Sequence, residues 1–211
     1  GREGEFQSGY VLPLAFGMLD GKRKEGALEN LVRLVKEGGY HIRTGFPGTP
    51  FILFALCDNG REEEAYRMLL TDTCPSWLYE AKVGTTIWER WDALREDGTC
   101  NTGKDDGTNG MTSFNHYASG AVGDFLYRRV AGIESVEAGY RVFRVKPVPG
   151  GGLTWAEGSV ETPYGRAGAA WKMEDGAFSI EVEVPVNTTC ELVMPGGETH
   201  TLGSGKYRFE A

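Results

Sequence analysis

The sequence predicts an α+β multidomain protein in which a block of helices is followed by an antiparallel β-sandwich. The hydrophobic period changes once along the chain: apolar residues recur at helical spacing up to about residue 131, and beyond Gly132 they alternate with polar residues. Gly/Pro turns separate the alternating segments, as at residues 149–152. Helices and strands are not interleaved, so we expect a helical part over residues 1–131 and a β-sandwich over residues 132–211.

The first three helices are predicted from periodicity and from their boundary residues. Apolar residues at helical spacing over 10–37, interrupted by glycines, indicate two helices. Thr49 is a candidate capping residue in front of Pro50, which suits a first helical turn, and the apolar run 51–57 follows. We therefore expect a third helix that is buried along its length.

Three more helices are expected downstream. Three successive glutamates suit the positive end of a helix dipole and indicate a fourth helix over 61–71. A proline opens a short fifth helix over 75–82, and Ser113 is placed to cap a long last helix over 114–130. The polar segment 94–112 between them is predicted to be a loop.

The β part is predicted from strict alternation of apolar and polar residues. Such alternation indicates half-buried strands with one face on a core. The alternating segments are 140–145, 178–184, 190–194 and 206–209.

Charge and composition exclude several classes of partner. The formal net charge is −8 and no cationic block stands out, so nucleic acid and anionic membrane surfaces are not expected partners. No stretch reaches the ~18 apolar residues of a spanning helix, and no signal peptide is visible. The four cysteines have no framework spacing, which favours free thiols in a reducing compartment, and we expect a cytoplasmic location.

The densest cluster of chemistry-bearing residues surrounds one acid, Glu89, between Trp88 and Trp91. Aromatic faces pack on the C–H faces of a pyranose while a carboxylate binds hydroxyls or activates water, so the cluster suits sugar chemistry. Two structural alternatives remain open: the rings form a core, and Glu89 forms an ion pair with Arg90 or Arg95. The cluster consists of Trp77, Tyr79, Trp88, Glu89, Trp91, Phe114, His116 and Tyr117.

Metal and cofactor sites are not indicated. The histidines, at positions 41, 116 and 200, are isolated from one another, so no zinc-ligand spacing exists. Residues 105–109 offer oxygen ligands beside a glycine but lack the register of an EF-hand, and a turn is the simpler interpretation. We expect neither a metal nor a cofactor.

Several strings of the chain match a known family in order. These are 44–50 (TGFPGTP), 75–79 (PSWLY), 85–91 (TTIWERW), 113–118 (SFNHYA), 140–147, 151–156 and 162–165. With them the chain resembles the bacterial α-L-rhamnosidases of glycoside hydrolase family 78 over nearly its whole length. The resemblance implies that residues 1–131 are the later half of an (α/α)6 barrel and that the rest is its C-terminal β-sandwich.

The resemblance also implies an activity and site residues. Members of the family remove terminal α-L-rhamnose with inversion, which requires one carboxylic acid and one carboxylate. Glu89 matches the family's general base, His116 matches a histidine that lines the sugar pocket, and Trp88 is a candidate wall of that pocket. The family's general acid lies in an earlier part of the barrel that has no counterpart here. We therefore expect a fragment that needs the missing N-terminal part, is inactive alone and exposes apolar surface.

Two other functions remain open at this point. The chain can be a non-catalytic carbohydrate-binding or structural module, or part of another (α/α)6 glycosidase with a different sugar specificity. The residues give no preference for the aglycone and do not fix the oligomeric state.

Overall fold

A computed structural model describes residues 6–101 and 113–211, and its contacts divide the chain into two compact units, Gly1–Val122 and Gly123–Ala211. The helical turns from residue 123 to 131 belong to the second unit, where they contact three of its strands. The sequence places the domain boundary between residues 131 and 132, and that position stays a prediction.

The helices lie in the predicted order. They are α1 (Gln7–Ala15), α2 (Gly21–Glu37), α3 (Ile52–Cys57), α4 (Glu62–Leu69), α5 (Trp77–Val83), α6 (Tyr117–Gly120) and α7 (Val122–Phe125). A 3-10 turn, Thr49–Phe51, precedes α3, a π-helical turn, Leu126–Ala131, follows α7, and a second 3-10 turn spans Ala138–Tyr140.

The core of the first unit is built around α3, whose residues are all buried, as predicted. The helix packs on α1 and α4. From α4, Ala65, Met68 and Leu69 face inward at helical spacing, and α2 contributes Leu31 and Val35. These positions confirm the apolar stripes read from the sequence.

Two predicted helix starts are wrong. The residue before the helical turn at Thr49 is Gly48, and the Thr49 hydroxyl donates to the carbonyl of Gly45 rather than capping a helix. The predicted helix over 114–130 begins only at Tyr117, because the backbone before it is extended and hydrogen-bonded to another loop. The rest of that range divides into α6, α7 and the π-helical turn.

Gly132 ends the helical turns at the position where the sequence pattern changes. Its φ of +88° lies in the left-handed region, and a Cβ there would stand 2.3 Å from the backbone nitrogen of Pro147. Only glycine fits both requirements.

The second unit contains two four-stranded sheets in the orders β1-β2-β6-β7 and β3-β4-β5-β8. Every pairing is antiparallel except that of β2 with β6, which is parallel. The strands are β1 (Ile133–Ser135), β2 (Val142–Val145), β3 (Trp155–Thr162), β4 (Gly165–Glu174), β5 (Ala177–Val184), β6 (Thr189–Val193), β7 (Thr199–Leu202) and β8 (Gly205–Glu210). Alternation alone did not indicate β1, β3, β4 and β7.

A shared core joins the two sheets as a sandwich. The alternate residues of β5, from Phe178 to Val184, are buried, as predicted from the pattern. Phe143 enters the core from the other sheet and is fully buried. Trp171 of β4 lies between the sheets with 1% of its surface exposed, and its ring N–H donates to the carbonyl of Val130 at 2.7 Å.

Two further features bear on the sequence-based exclusions. Within residues 6–101 and 113–211, no helix is both long enough and apolar enough to cross a membrane. All four cysteines carry thiols rather than disulfides, as predicted, with Cys57 and Cys190 buried and Cys74 and Cys100 exposed. A cytoplasmic location stays a prediction.

Candidate active site

Helix α5 holds the loops around the predicted site through its side chains. Ser76 caps the helix by accepting the N–H of Tyr79 at 3.1 Å. The buried ring N–H of Trp77 donates to the carbonyl of Ser119 at 2.8 Å, and the Tyr79 hydroxyl donates to the carbonyl of Leu94 at 2.9 Å. The helix thereby ties together two segments that are distant in the sequence.

Glu89 lies half-buried on a segment that pairs with residues 113–116. Its N–H donates to the carbonyl of Ser113 at 2.9 Å, and its Oε2 accepts the N–H of Ser113 at 3.4 Å. The N–H of His116 donates to the carbonyl of Ile87 at 2.9 Å. The structure therefore brings Glu89 and His116 onto two adjacent, hydrogen-bonded segments.

The neighbouring charges form a separate cluster. Arg90 forms an ion pair with Asp92, with Nε–Oδ1 at 2.5 Å and Nη2–Oδ2 at 3.2 Å. Asn101 donates to the same carboxylate at 2.8 Å. Asp92 is therefore engaged by two partners, which leaves it poorly suited to donate a proton to a substrate.

The ring of His116 contacts two other aromatic rings. Its ring centroid is 4.5 Å from that of Phe46 and 5.4 Å from that of Tyr117, which stacks on it at 24°. Tyr117 is 85% exposed and Phe46 is 37% exposed, so both present ring surface to solvent. The Nδ1 atom of His116 is buried and has no hydrogen-bond partner among the described residues.

Phe46 was not singled out as a site residue from the sequence. The string 44–50 was noted only as a family motif, and its phenylalanine lies far from residue 116 in the chain. The signal that could have identified Phe46 is an aromatic residue within a Gly/Pro turn, because functional side chains are often carried on such loops.

Trp88 is part of the protein core. It is 1% exposed and packs in a buried cluster with Tyr79 and Ala93, edge-on to Phe114 at 5.8 Å. Gly84 lies directly against its ring, since a Cβ there would approach Cζ2 to 2.3 Å. This placement favours the structural role, and a sugar contact by Trp88 stays a prediction that its burial does not support.

Glu80 was missed by the sequence analysis. It is fully buried on α5, and its Oε2 accepts the N–H of Trp88 at 3.0 Å. Burial raises the pKa of its carboxyl to about 8, although the N–H of Trp88 opposes the shift. The sequence does contain a signal for its burial: Glu80 follows Trp77 by three residues, so both side chains lie on the same face of the helix.

A search for clustered metal ligands gives no site in the described part of the chain, in which no three His, Cys, Asp or Glu side chains converge. Residues 105–109, interpreted above as a turn, lie outside the described residues, as does most of the predicted loop over 94–112. Within its described portion, Leu94 and Cys100 form an isolated antiparallel bridge.

Comparison with protein families identifies the class of this fold. Residues 2–130 match the model of the bacterial alpha-L-rhamnosidase 6 hairpin glycosidase domain, so the helical part is of the six-hairpin glycosidase class. Residues 132–209 match the model of the bacterial alpha-L-rhamnosidase C-terminal domain. The chain therefore belongs to the bacterial α-L-rhamnosidase family, and the predicted fold class is confirmed.

Relatives match nearly the whole chain. It is 40% identical to an alpha-L-rhamnosidase of Streptomyces avermitilis over an alignment of 227 residues, gaps included. The alignment covers 98% of this chain and 22% of that relative. It is 38% identical over 197 residues to an alpha-L-rhamnosidase of Formosa agariphila, which covers 93% of the chain and 21% of that relative. The chain thus spans about a fifth of the length of these relatives.

Solved structures give the same result. The native α-L-rhamnosidase of Aspergillus terreus superposes with a TM-score of 0.89 at 38% identity, covering 98% of this chain and 24% of that one. The Streptomyces avermitilis α-L-rhamnosidase complexed with L-rhamnose superposes with a TM-score of 0.88 at 35% identity, covering 99% and 22%.

Proposed function

We propose that the natural polypeptide containing this chain is an inverting α-L-rhamnosidase in which Glu89 is the general base. The observation that carries the proposal is the placement of Glu89 beside His116, on paired segments of a six-hairpin glycosidase domain. The substrate is a glycoside with a terminal α-L-rhamnose. Membership of the rhamnosidase family supports that sugar, as does the L-rhamnose complex of the Streptomyces avermitilis relative.

In this reaction Glu89 removes a proton from the attacking water. One oxygen of its carboxylate accepts the N–H of Ser113, which restrains the side chain and leaves the other oxygen for the water. His116, together with the rings of Phe46 and Tyr117 that contact it, supplies an aromatic surface against which the sugar packs. Binding and water activation thus come from adjacent segments.

The general acid comes from outside these 211 residues. An inverting enzyme needs a second carboxyl group about 6.5–9.5 Å from the base, positioned to protonate the leaving oxygen. Asp92 is held by Arg90 and Asn101, and Glu80 is fully buried. Neither acid suits that role, and the chain spans only about a fifth of its relatives, so the proposed source is a part of the natural polypeptide that precedes these residues.

The first prediction concerns Glu89→Gln in the natural polypeptide. Replacing the base by a neutral isostere should lower kcat on a chromogenic α-L-rhamnoside by roughly 10²–10⁴-fold with little change in KM. The matched control is Glu96→Gln, which removes an exposed acid from the same loop and should leave the rate near that of the wild type. Near-normal activity of Glu89→Gln would remove Glu89 from the reaction.

Two further readouts test the mechanism and the specificity. NMR should detect β-L-rhamnose as the first product, and Glu89→Ala supplied with azide should form the β-L-rhamnosyl azide. An α-anomer formed first would contradict inversion.

Cleavage of other aryl glycosides but not the rhamnoside would favour a different glycosidase, and binding without cleavage would favour a carbohydrate-binding module. The 211-residue chain alone should show no turnover, and Glu89-dependent turnover by it would place the acid inside this chain.

A further inference from the structure

Glu80 is a buried acid that the proposed reaction does not use. Its side chain is 0% exposed, and it reaches the backbone of Trp88, whose ring lies in a buried cluster with Tyr79 and Ala93. An aliphatic residue would fill such a position without removing a carboxyl group from water. The acid therefore contributes something other than packing.

Its hydrogen bonding is one-sided. Oε2 accepts the N–H of Trp88 at 3.0 Å, while Oε1 is buried with no hydrogen-bond partner among the described residues. The contact is made to the residue that directly precedes Glu89. It fixes the direction of the backbone at the point where the chain enters Glu89.

The same short segment is held from its other side by backbone contacts. The carbonyl of Ile87 accepts the N–H of His116, and the N–H and side chain of Glu89 both bind Ser113. Glu80 of α5 binds the backbone of residue 88, while residues 87 and 89 bind the segment 113–116. The segment 87–89 is therefore held by contacts from both α5 and residues 113–116.

We propose that Glu80 is a positioning residue that holds the Trp88 amide and thereby sets the position of Glu89. The inference rests on the proposed function of Glu89 as the base. Glu80 is not itself a proton donor to the substrate, because its fully buried side chain has no surface to offer to a glycosidic oxygen.

The charge on Glu80 gives the proposal a pH signature. Burial raises its pKa to about 8, so the group is neutral below that pH and ionises above it. The titratable and charged groups of this region are Tyr79 on α5 itself, the thiol of Cys74 just before the helix, and the Arg90–Asp92 ion pair. Ionisation above about pH 8 strengthens the hydrogen bond from the Trp88 N–H, which favours the charged form, but leaves Oε1 as a buried charged oxygen without a partner among the described residues.

The experiment compares two variants of the natural polypeptide on a chromogenic α-L-rhamnoside from pH 5 to 10. Glu80→Gln keeps an oxygen that can accept the Trp88 N–H but cannot ionise, so it should retain kcat near neutral pH and differ from the wild type only above about pH 8. Glu80→Leu has no acceptor and should lower kcat by ~10–100-fold with KM little changed. Glu96→Gln is the control with an unaltered pH profile.

A readout independent of activity is hydrogen exchange at the Trp88 amide. Protection of this amide should persist in Glu80→Gln and disappear in Glu80→Leu. Unchanged protection in Glu80→Leu, or a large loss of kcat near neutral pH in Glu80→Gln, would overturn the positioning role. If Glu80→Leu loses protection but Glu89→Gln retains full activity, the contact is real and the assignment of the base is wrong.

Discussion

Single residues in this chain take their roles from what surrounds each side chain, as the tryptophans at positions 77, 155 and 171 show. Trp77 and Trp171 are both buried, and each donates its ring N–H to a backbone carbonyl, of Ser119 and Val130 respectively. Each satisfies a polar group that would otherwise be buried without a partner. Trp155, by contrast, is 63% exposed.

Trp171→Phe should destabilise the sandwich by about 2–4 kcal/mol, because the change leaves the carbonyl of Val130 without its donor and removes buried ring volume. The free energy of unfolding is measured by urea denaturation followed by circular dichroism. Trp155→Phe is the matched control and should change it by no more than ~0.5 kcal/mol. Equal effects of the two substitutions would contradict the role assigned to the Trp171 hydrogen bond.

At the scale of elements, α5 and the segment 85–91 form one packed unit of the candidate site. The turn after α5 passes Gly84, and the ring of Trp88 folds back directly onto it. The backbone of Gly84 has φ −135°, which any residue adopts, so the requirement for glycine there is steric. The position of Trp88, and of Glu89 after it, depends on that close approach.

Gly84→Ala should therefore lower both stability and activity. The added methyl would lie 2.3 Å from the Trp88 ring, and overpacking of this kind costs about 1–3 kcal/mol. The control is Gly26→Ala in the middle of α2, where nothing lies within 4 Å and the change should stabilise by about 0.5–1 kcal/mol. Thermal unfolding and rhamnoside hydrolysis check both, and a Gly84→Ala variant as active as the wild type would show that the ring can move without displacing Glu89.

The elements also show which features the sequence predicts and which it does not. Helix α3 and strand β5 followed from local pattern, because burial of a whole helix or of one strand face leaves a periodic signal. Ser113 was assigned to a helix cap because local pattern does not register pairing with a distant segment. Glu80 was missed for the same reason, since its partner is a backbone amide on another loop.

At the scale of the whole molecule, the proposed function gives this chain one side of a two-carboxyl reaction. It spans about a fifth of its relatives and matches both the six-hairpin domain and the C-terminal domain. The family resemblance gave the proposed base because the motif around Glu89 lies in this stretch. The proposal leaves the general acid outside this stretch, because the resemblance gives it no counterpart here and because Asp92 is paired and Glu80 is buried.

The isolated 211-residue chain should self-associate through apolar side chains of its helical unit. Phe16 and Met18, on either side of a turn after α1, are 60% and 72% exposed, and Phe16 packs edge-on against Phe51 at 5.0 Å. Adjacent exposed apolar groups of this size favour contacts between molecules. Sedimentation velocity should show mass rising with concentration, and a Phe16→Ser, Met18→Ser double variant should suppress that rise.

The matched control for association is Val186→Ser in the sandwich unit, which alters a single side chain that is 63% exposed. A lone exposed apolar residue is common on protein surfaces and contributes little to association, so this variant should behave as the wild type does. A chain that stays monomeric at all accessible concentrations would show that the Phe16 and Met18 surface is too small to bind a second copy. Suppression by Val186→Ser instead would move the associating surface to the sandwich.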